Sequence, residues 1–346
     1  AHGQGYSDLH FLIPETIQKI NFGKGPYYAN HGDFNTAGYV DFKTKSAIHN
    51  SQINIGVGQF NTFRTLGMFN LLGNKSNENA YVALEYLATD GFVESPQNFN
   101  RINLFAKYNT YLKDNSRFTL TASHFTSKWD ASGQIPQREI DNNNITRFGA
   151  IDDTEGGETS RTNLNFQYNK VLSNDVELQT NVFYTKYAFK LFSNFTFFLD
   201  DPINGDQIKQ QENRDIFGFN SQFKKDTNIS DIDVTLTAGT GLRSDIVKNV
   251  ELSHTLNRKT LLNNIQLGDV NQTNYYAFLN AEFEFGDFTI APALRLDYFN
   301  FQYNDALLPV YKTESTSKSI INPKLNFTYS PNENVQWFIK SGIGFH

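Results

Sequence analysis

The chain has no cysteine and a single methionine among its 346 residues. The absence of cysteine excludes a disulfide scaffold, a thiol nucleophile and thiolate metal sites. No stretch reaches the roughly 18 to 20 consecutive apolar residues of a membrane-spanning helix, which excludes a helical membrane protein. Basic residues are fewer than acidic ones, 30 against 36. The resulting formal net charge of −6 predicts no nucleic-acid partner.

Aromatic residues are abundant, making up 15% of the chain, and 32 of them are phenylalanine. From Ser51 onward, apolar and polar residues alternate and then break at Asn, Asp, Gly or Ser, as in Leu164, Phe166 and Tyr168 set against their polar neighbours. We count about thirteen such segments, each close to the roughly 9 to 11 residues with which a tilted strand crosses a bilayer. The pattern predicts an all-β protein, an antiparallel transmembrane β-barrel.

The breaks between these segments alternate in length. Compact breaks rich in turn-forming residues alternate with long polar ones, far above the usual median of roughly 4 to 6 residues. The compact breaks are 113–116, 173–175, 226–231, 286–287 and 330–334, and the long ones are 130–157, 195–213, 245–273 and 301–318. Tight turns on one rim and long loops on the other are typical of bacterial outer-membrane barrels. Charged residues such as Glu85, Arg295 and Asp297 then fall on the face opposite the apolar one.

The first 46 residues lack barrel alternation and carry the most specific local pattern. Ile13-Pro14-Glu15-Thr16-Ile17 leads into a strand, the Gly-rich break 23–32 follows, and a second strand covers 38–45. This pattern resembles the carboxyl-terminal half of the plug domain of TonB-dependent outer-membrane receptors. Lys24 stands where that family usually has arginine, and His31-Gly32 stands where it has Tyr-Gly.

The resemblance implies a barrel of about 22 strands around a plug. Residues 1–46 would then be the C-terminal part of the plug domain, and residues 47–346 the N-terminal part of the barrel, with about thirteen strands. We expect the chain to be truncated at both ends, because a signal peptide, a TonB-binding segment, the first half of the plug and the last strands would lie outside it. The implied location is the bacterial cell outer membrane.

The function implied by the resemblance is active import of a scarce nutrient, with energy supplied by TonB. The implied partners are outer-membrane lipid, the TonB complex through an upstream segment, and a small ligand such as a metal chelate, with a ferric siderophore as the default. We expect no cofactor and no enzymatic chemistry, because the chain has no Gly-x-Ser-x-Gly, His-Glu-x-x-His or Walker motif. The alternatives are a passive porin-like barrel and a soluble β-rich glycan-binding protein.

In the family, ligand lies between the outward loops of the plug and the long outer loops, so we predict ligand-binding residues at the plug apex. These are His2, Gln4, Tyr6, Asp8, Tyr27 and Tyr28. The alternative for the first four is a solvated loop, and packing between plug and wall explains the two tyrosines as well. A structural turn between plug strands is predicted at Lys24, Gly25, Pro26 and Gly32, with Lys24 paired to carboxylates of the wall. We predict no metal site, since no histidine or carboxylate spacing matches a recurrent ligand pattern.

Overall fold

The computed structural model describes residues 8–73, 77–114, 116–173 and 176–346. Their regular structure is almost entirely β-strand. The strands are β1 Ile17–Lys24, β2 Gly38–Thr44, β3 Gln52–Val57, β4 Phe63–Asn70, β5 Glu78–Thr89, β6 Phe99–Tyr111, β7 Arg117–Ala131, β8 Glu155–Ser173, β9 Val176–Ser193, β10 Ile208–Ile229, β11 Ile232–Leu256, β12 Thr260–Phe285, β13 Phe288–Asp305, β14 Thr313–Asn332 and β15 Val335–Gly342. A 3-10 turn, Pro14–Thr16, and the short helix α1, Gln137–Asp141, are the helical elements of this part of the chain. Neither is long and apolar enough to cross a membrane.

The strands form two sheets. β1 and β2 form an antiparallel hairpin, and β3 to β15 form a thirteen-stranded sheet in which each strand pairs with its neighbours in sequence. All the pairings are antiparallel. The predicted all-β class and the count of thirteen barrel strands are confirmed. The division into plug and barrel at residues 46 and 47 stays a prediction.

Strand β13 shows how the sequence separates the two faces of the wall. Its even-numbered positions from Phe288 to Tyr298 are all apolar and point outward, whereas Arg295 and Asp297 are 3% and 0% exposed on the inner face. Phe288 stacks on Tyr329, with ring centroids 4.5 Å apart, and Tyr298 lies 6.4 Å from Tyr275. Phe288 and Tyr298 are ten residues apart, which corresponds to roughly 34 Å along the strand. For a strand tilted by 40°, this is a height of about 26 Å along the barrel axis. That height matches the roughly 25 Å apolar band of outer-membrane barrels.

The alternation of short and long connections follows the prediction at the tight rim but not at the outer one. The β10–β11 turn is reduced to Ser230 and Asp231, both with positive φ. At the other end, the predicted loop 245–273 is instead a continuation of β11 and β12, which pair as far as Leu256 and Thr260. Polar residues such as Lys248, Asn249, Asn263 and Asn264 interrupt the apolar–polar alternation here, while the backbone ladder continues. Polarity alone therefore made this strand look like a loop.

The segment before β3 lies against the inner face of the wall. Ile13 packs in a buried cluster with Leu66, Met68, Tyr81 and Ala83 of β4 and β5. Most of the polar contacts between wall and segment share one form, in which a side chain of the wall donates to a main-chain carbonyl of the segment. The pairs, donor first, are Asn103 to His10, Lys324 to Pro26, Asn326 to Tyr27, Arg295 to Ala29, Lys107 to Thr44, Tyr81 to Lys45, Asn109 to Ser46 and Asn70 to Ile48.

Candidate ligand-binding site

A cavity of about 890 Å³ lies between residues 8–17 and the inner wall, near the rim that carries the long loops. Its volume is within the range of small-molecule sites. Strand alternation places wall residues 99, 101, 127, 129 and 189 on the inner face, where they meet the segment. The lining comprises Asp8, Leu9, His10, Leu12, Pro14, Ile17, Leu87, Thr89, Gln97, Phe99, Arg101, Ser127, Trp129 and Phe189.

A chain of ion pairs leads from Arg101, which lines the cavity, to Glu15 of the segment. Glu85, 2% exposed, accepts hydrogen bonds from Arg101 at 2.7 Å and from Arg64 Nε at 2.9 Å. Arg64 also donates both terminal nitrogens to the Glu15 carboxylate, at 2.7 and 2.8 Å. These bonds hold the pKa of Glu15 below its ordinary value. The network fixes the entry of the segment against β4, β5 and β6.

The upper lining combines aromatic surface with a few polar groups. The His10 ring lies 5.4 Å from Phe99, and its Nδ1 is 3.0 Å from Arg101 Nη1. Phe11, the next residue, lies outside the lining and packs under the Arg161 guanidinium, with the cation 4.3 Å from the ring centre. Such a lining can bind a ligand that presents apolar or aromatic surface together with hydrogen-bonding groups.

The predicted ligand residues do not all come together. His2, Gln4 and Tyr6 lie outside the described residues. Asp8 lines the cavity and accepts a hydrogen bond from the His10 backbone N–H at 2.8 Å. Tyr27 and Tyr28 are absent from that lining. Ligand contact by any of these six residues stays a prediction.

Tyr28 instead contacts the far wall, near β15. Lys340 Nζ is 5.1 Å from the centre of the Tyr28 ring and 3.3 Å from its hydroxyl. Tyr39 meets the same ring edge-on, at 5.3 Å. Asn326 of β14 donates to the Tyr27 carbonyl at 3.0 Å. Both tyrosines therefore lie at the contact between the segment and the wall.

Sequence reasoning missed Phe99, Arg101, Trp129 and Phe189 as cavity residues. The sequence indicates part of their role, because strand alternation assigns these four residues to the inner face and their places near strand ends put them at the outer rim. Which inner residues meet residues 8–17 depends on sheet curvature, which periodicity does not encode.

The predicted plug turn is a close-fitting loop. Gly25 has φ of +72°, a conformation that favours glycine, and its N–H donates to the Ala37 carbonyl at 2.8 Å. The Pro26 carbonyl accepts a hydrogen bond from Lys324 of β14. Lys24 is exposed, and within the described ranges the structure shows no carboxylate at ion-pair distance from it. The expected pairing of Lys24 with the wall is therefore absent from these contacts.

Arg295, on the neighbouring strand β13, holds the same loop. Its guanidinium donates to Asp297 at 2.7 and 2.8 Å and to the Ala29 carbonyl at 3.1 Å. The cation also lies 4.0 Å from the Tyr276 ring centre. Gly32 leaves the space that the guanidinium fills, since a Cβ at this residue would lie 2.4 Å from Arg295 Nη2. Together, Arg295 and Gly32 fix the loop against β13.

Burial shifts the pKa of two groups at this loop, His31 and Asp33. The His31 ring stacks on Tyr39 with centroids 3.9 Å apart, and desolvation lowers the pKa of His31. Desolvation raises the pKa of Asp33, although Gln272 donates to its carboxylate at 2.9 Å. The imidazole is therefore neutral near pH 7.

We expect Gly32→Ala to release the loop 25–32 from the wall, because the new methyl group would displace the buried Arg295 guanidinium. Limited proteolysis of the full-length protein in detergent should show faster cleavage within residues 25–36. Gly56→Ala is the matched control, since the nearest atoms to its added methyl group are 4.0 Å away. Equal cleavage rates for the two variants would refute the close fit at Gly32.

Three outer connections meet above the cavity, around Arg258 in the β11–β12 turn. Arg258 donates to the carbonyls of Thr154 and Glu155 and pairs with Asp130 at 2.8 Å. Gln207, from the β9–β10 connection, donates to Asp152 at 3.1 Å and accepts from the Arg258 N–H at 2.8 Å. We name residues 152–155, Gln207 and Arg258 the loop junction.

Glu155 is the buried acid of the loop junction. It is 4% exposed, and its Oε1 has no hydrogen-bond partner. Burial, with the neighbouring Asp152 charge, raises the pKa of Glu155 to about 7. Arg258 opposes this shift only in part. Across the described residues, no group of three or more His, Asp or Glu side chains is arranged to hold a metal ion.

Comparisons with known proteins concern the fold and the family. The family model described as TonB dependent receptor-like, beta-barrel matches residues 97–346. No curated protein sequence matches the chain significantly. The structure is similar to the ferric citrate transporter FecA in the unliganded form, with a TM-score of 0.78 and 14% identity over 93% of this chain and 49% of that one.

Two further solved structures resemble the chain to a similar degree. The open form of the ferric-catecholate import receptor Fiu from E. coli K12 has a TM-score of 0.75 and 10% identity, over 95% of this chain and 60% of that one. The copper transporter OprC has a TM-score of 0.69 and 13% identity, over 96% and 51%. This chain therefore spans about half the length of FecA and OprC and 60% of Fiu. At such identities the likeness concerns the fold.

Proposed function

This chain belongs to the TonB-dependent receptor-like β-barrel family, and on that premise we propose that the complete protein is an outer-membrane receptor that imports a scarce nutrient. The observation that carries the proposal is the cavity between residues 8–17 and the inner wall, at the rim of the long connections. Ligand would bind there from outside. Residues 1–46 would act as the end of the plug, and residues 47–346 as part of the barrel. The protein would perform no covalent chemistry.

Energy coupling would act on the contacts that hold the plug. The segment is fixed near its start by the Glu15–Arg64 pair, in its middle by Arg295 at the Ala29 carbonyl, and at its end by Asn109 at the Ser46 carbonyl. A pull from TonB on an upstream segment would have to break or shift such contacts before a path opened. Polar contacts of this kind re-form with water when separated, which suits an interface that must part and reseal.

We propose a metal chelate, with a ferric siderophore as the default, as the transported ligand. FecA and Fiu are named for ferric citrate and ferric catecholate, and OprC for copper. The cavity presents Phe99, Trp129 and Phe189 beside Arg101 and His10. Aromatic faces next to donors favour a chelate with ring-bearing arms over a small hydrophilic one.

The two tryptophans of the chain allow a direct test, because Trp129 lines the cavity and Trp337 is 67% exposed on the outer face. We expect ferric catecholate chelates to quench tryptophan fluorescence of the full-length protein. Trp129→Phe should remove most of the quenching that is saturable. Trp337→Phe is the control and should leave it intact.

Trp129→Ala should weaken binding about tenfold or more, because a buried aromatic contact of this size contributes roughly 1.5 to 3 kcal/mol. Titrations with ferric citrate, a ferric catecholate chelate and Cu(II) would compare the ligand classes. Equal quenching in both phenylalanine variants would contradict binding at this cavity. Uptake that continues in cells lacking TonB would contradict active transport and favour the porin alternative.

A further inference from the structure

A second cavity, of about 370 Å³, opens on the outer face of the barrel wall beside the loop junction. Its lining is strongly basic, although the chain carries a net charge of −6. The lining comprises Lys128, Gly157, Glu158, Lys190, Phe192, Lys209, Glu251, Thr255, Arg258, Lys259, Thr260 and Leu261. We name it the outer basic pocket.

Strand alternation places the pocket on the lipid side of the wall. Ser127 and Trp129 line the inner cavity, so Lys128 between them points outward. Phe189 also lines the inner cavity, and Lys190 beside it points outward in the same way. Lys190 bonds to Glu158 of β8 across this outer surface, at 2.6 Å.

The height of the pocket follows from the aromatic residues below it. The outward rings of Tyr184 and Phe217 lie 5.0 Å apart and mark the upper edge of the apolar band on β9 and β10. Lys190 is six residues further along β9, or roughly 20 Å of strand and about 15 Å along the membrane normal at a 40° tilt. Phospholipid headgroups add only about 5 to 8 Å to each side of the hydrocarbon core. A lipid that reaches the pocket therefore needs a large polar head.

The charges of the pocket are only partly neutralised from within. Lys190 pairs with Glu158, and Lys209 with Glu251 at 2.8 Å. Across the residues placed by the structure, Lys128 and Lys259 have no carboxylate at ion-pair distance. Lys128, whose charge acts on Glu158 from a longer distance, and Lys259 thus keep ammonium groups without a contact ion pair beside the partly buried Lys190 and Lys209. Such an arrangement suits phosphate groups.

We propose that the outer basic pocket binds a phosphorylated glycolipid of the outer leaflet, through phosphate groups on its sugar head. Lys128 and Lys259 contact the phosphates directly, and the Lys190 and Lys209 pairs shape the walls. The bound lipid bridges β7 to β12 just outside the loop junction. This site is on the opposite face of the wall from the ligand cavity, so it does not depend on the transported cargo.

The test uses the full-length protein in detergent, titrated with rough lipopolysaccharide whose core sugars carry phosphate. We expect saturable binding that weakens at least tenfold in the double variant Lys128→Glu, Lys259→Glu. The matched control is Lys312→Glu, Lys318→Glu, which reverses two exposed lysines elsewhere at the outer rim and should change the affinity less than twofold. Chemical dephosphorylation of the glycolipid should weaken binding to the wild-type protein as strongly as the Lys128 and Lys259 reversals.

Several results would overturn the proposal. If both double variants lose glycolipid affinity equally, the effect is one of overall charge. If neither variant loses affinity, the lipid binds elsewhere. Vesicles of phosphatidylethanolamine with 20% phosphatidylglycerol that bind as tightly would remove the requirement for a large head. Competition by inorganic phosphate at micromolar concentration would indicate a site for a free anion.

Discussion

Replacing Arg295 by alanine should cost about 3 to 5 kcal/mol of unfolding free energy, the largest effect that we expect from one substitution outside the backbone turns. Asp297, 0% exposed, would lose the partner that donates to both of its oxygens. The Ala29 carbonyl would lose its donor in the same change. Denaturant unfolding of the full-length protein in detergent micelles would measure the loss.

Two further variants separate the causes of that loss. Arg138→Ala removes an arginine whose side chain is 74% exposed, and it should change the unfolding free energy by less than about 0.5 kcal/mol. Arg295→Met combined with Asp297→Leu removes both charges and should recover most of the stability. A loss below about 1 kcal/mol for Arg295→Ala would show that the pair does not hold the wall and the loop together.

Glu155→Gln should abolish a pH dependence that the wild-type protein shows. The folded-state pKa of Glu155 is about 7, against 4.5 for a free side chain. The folded protein therefore keeps this proton at pH values where the unfolded chain has released it. The free energy of unfolding therefore includes the full contribution of protonated Glu155 below about pH 4.5, and this contribution is lost as the pH rises to about 7. At pH 8 the ionised, buried carboxylate costs up to about 3 kcal/mol.

The expected difference between wild-type and Glu155→Gln stability is therefore small at pH 4.5 and largest at pH 8, where the variant should be more stable. Denaturant unfolding at both pH values would measure it. Glu158→Gln is the control three residues along β8, because its carboxylate is half-exposed, pairs with Lys190 and has a lowered pKa. If Glu155→Gln is no more stable than the wild type at pH 8, the carboxylate of the loop junction is not buried in solution.

The sequence was informative wherever the two faces of a strand meet different solvents. From Phe288 to Tyr298 one face meets lipid and the other the polar interior, so alternation revealed the strand and its orientation. In the β11–β12 hairpin above the membrane, polar residues interrupt the alternation, such as Lys248 and Asp269, which bond to each other at 2.8 Å. There the pattern was too weak, and a paired ladder was taken for a loop.

The candidate site was less predictable than the fold. Asp8 could be assigned to the cavity side because a family pattern places its segment at the plug apex. Arg101 and Trp129 could not, since their approach to residues 8–17 depends on how thirteen strands curve. Tyr27 and Tyr28 look like ligand contacts in sequence, yet Asn326 and Lys340 hold them against the wall. Aromatic residues in a glycine-rich loop fit both roles equally well.

Many donors of the wall bond to main-chain carbonyls of the segment before β3, which every residue type has, although Arg64, Gln272 and Lys340 bond to the side chains of Glu15, Asp33 and Tyr28. Asn103, Lys107, Asn109 and Arg295 would each keep their acceptor after almost any substitution at the residue they contact. Attachment through these carbonyls is therefore independent of side-chain identity at the residues that are contacted. If the segment is the end of a plug, as we propose, selection can remodel its ligand-facing side chains without loosening these bonds. Such a receptor can then acquire a new cargo by changes in the plug, with the wall left as it is.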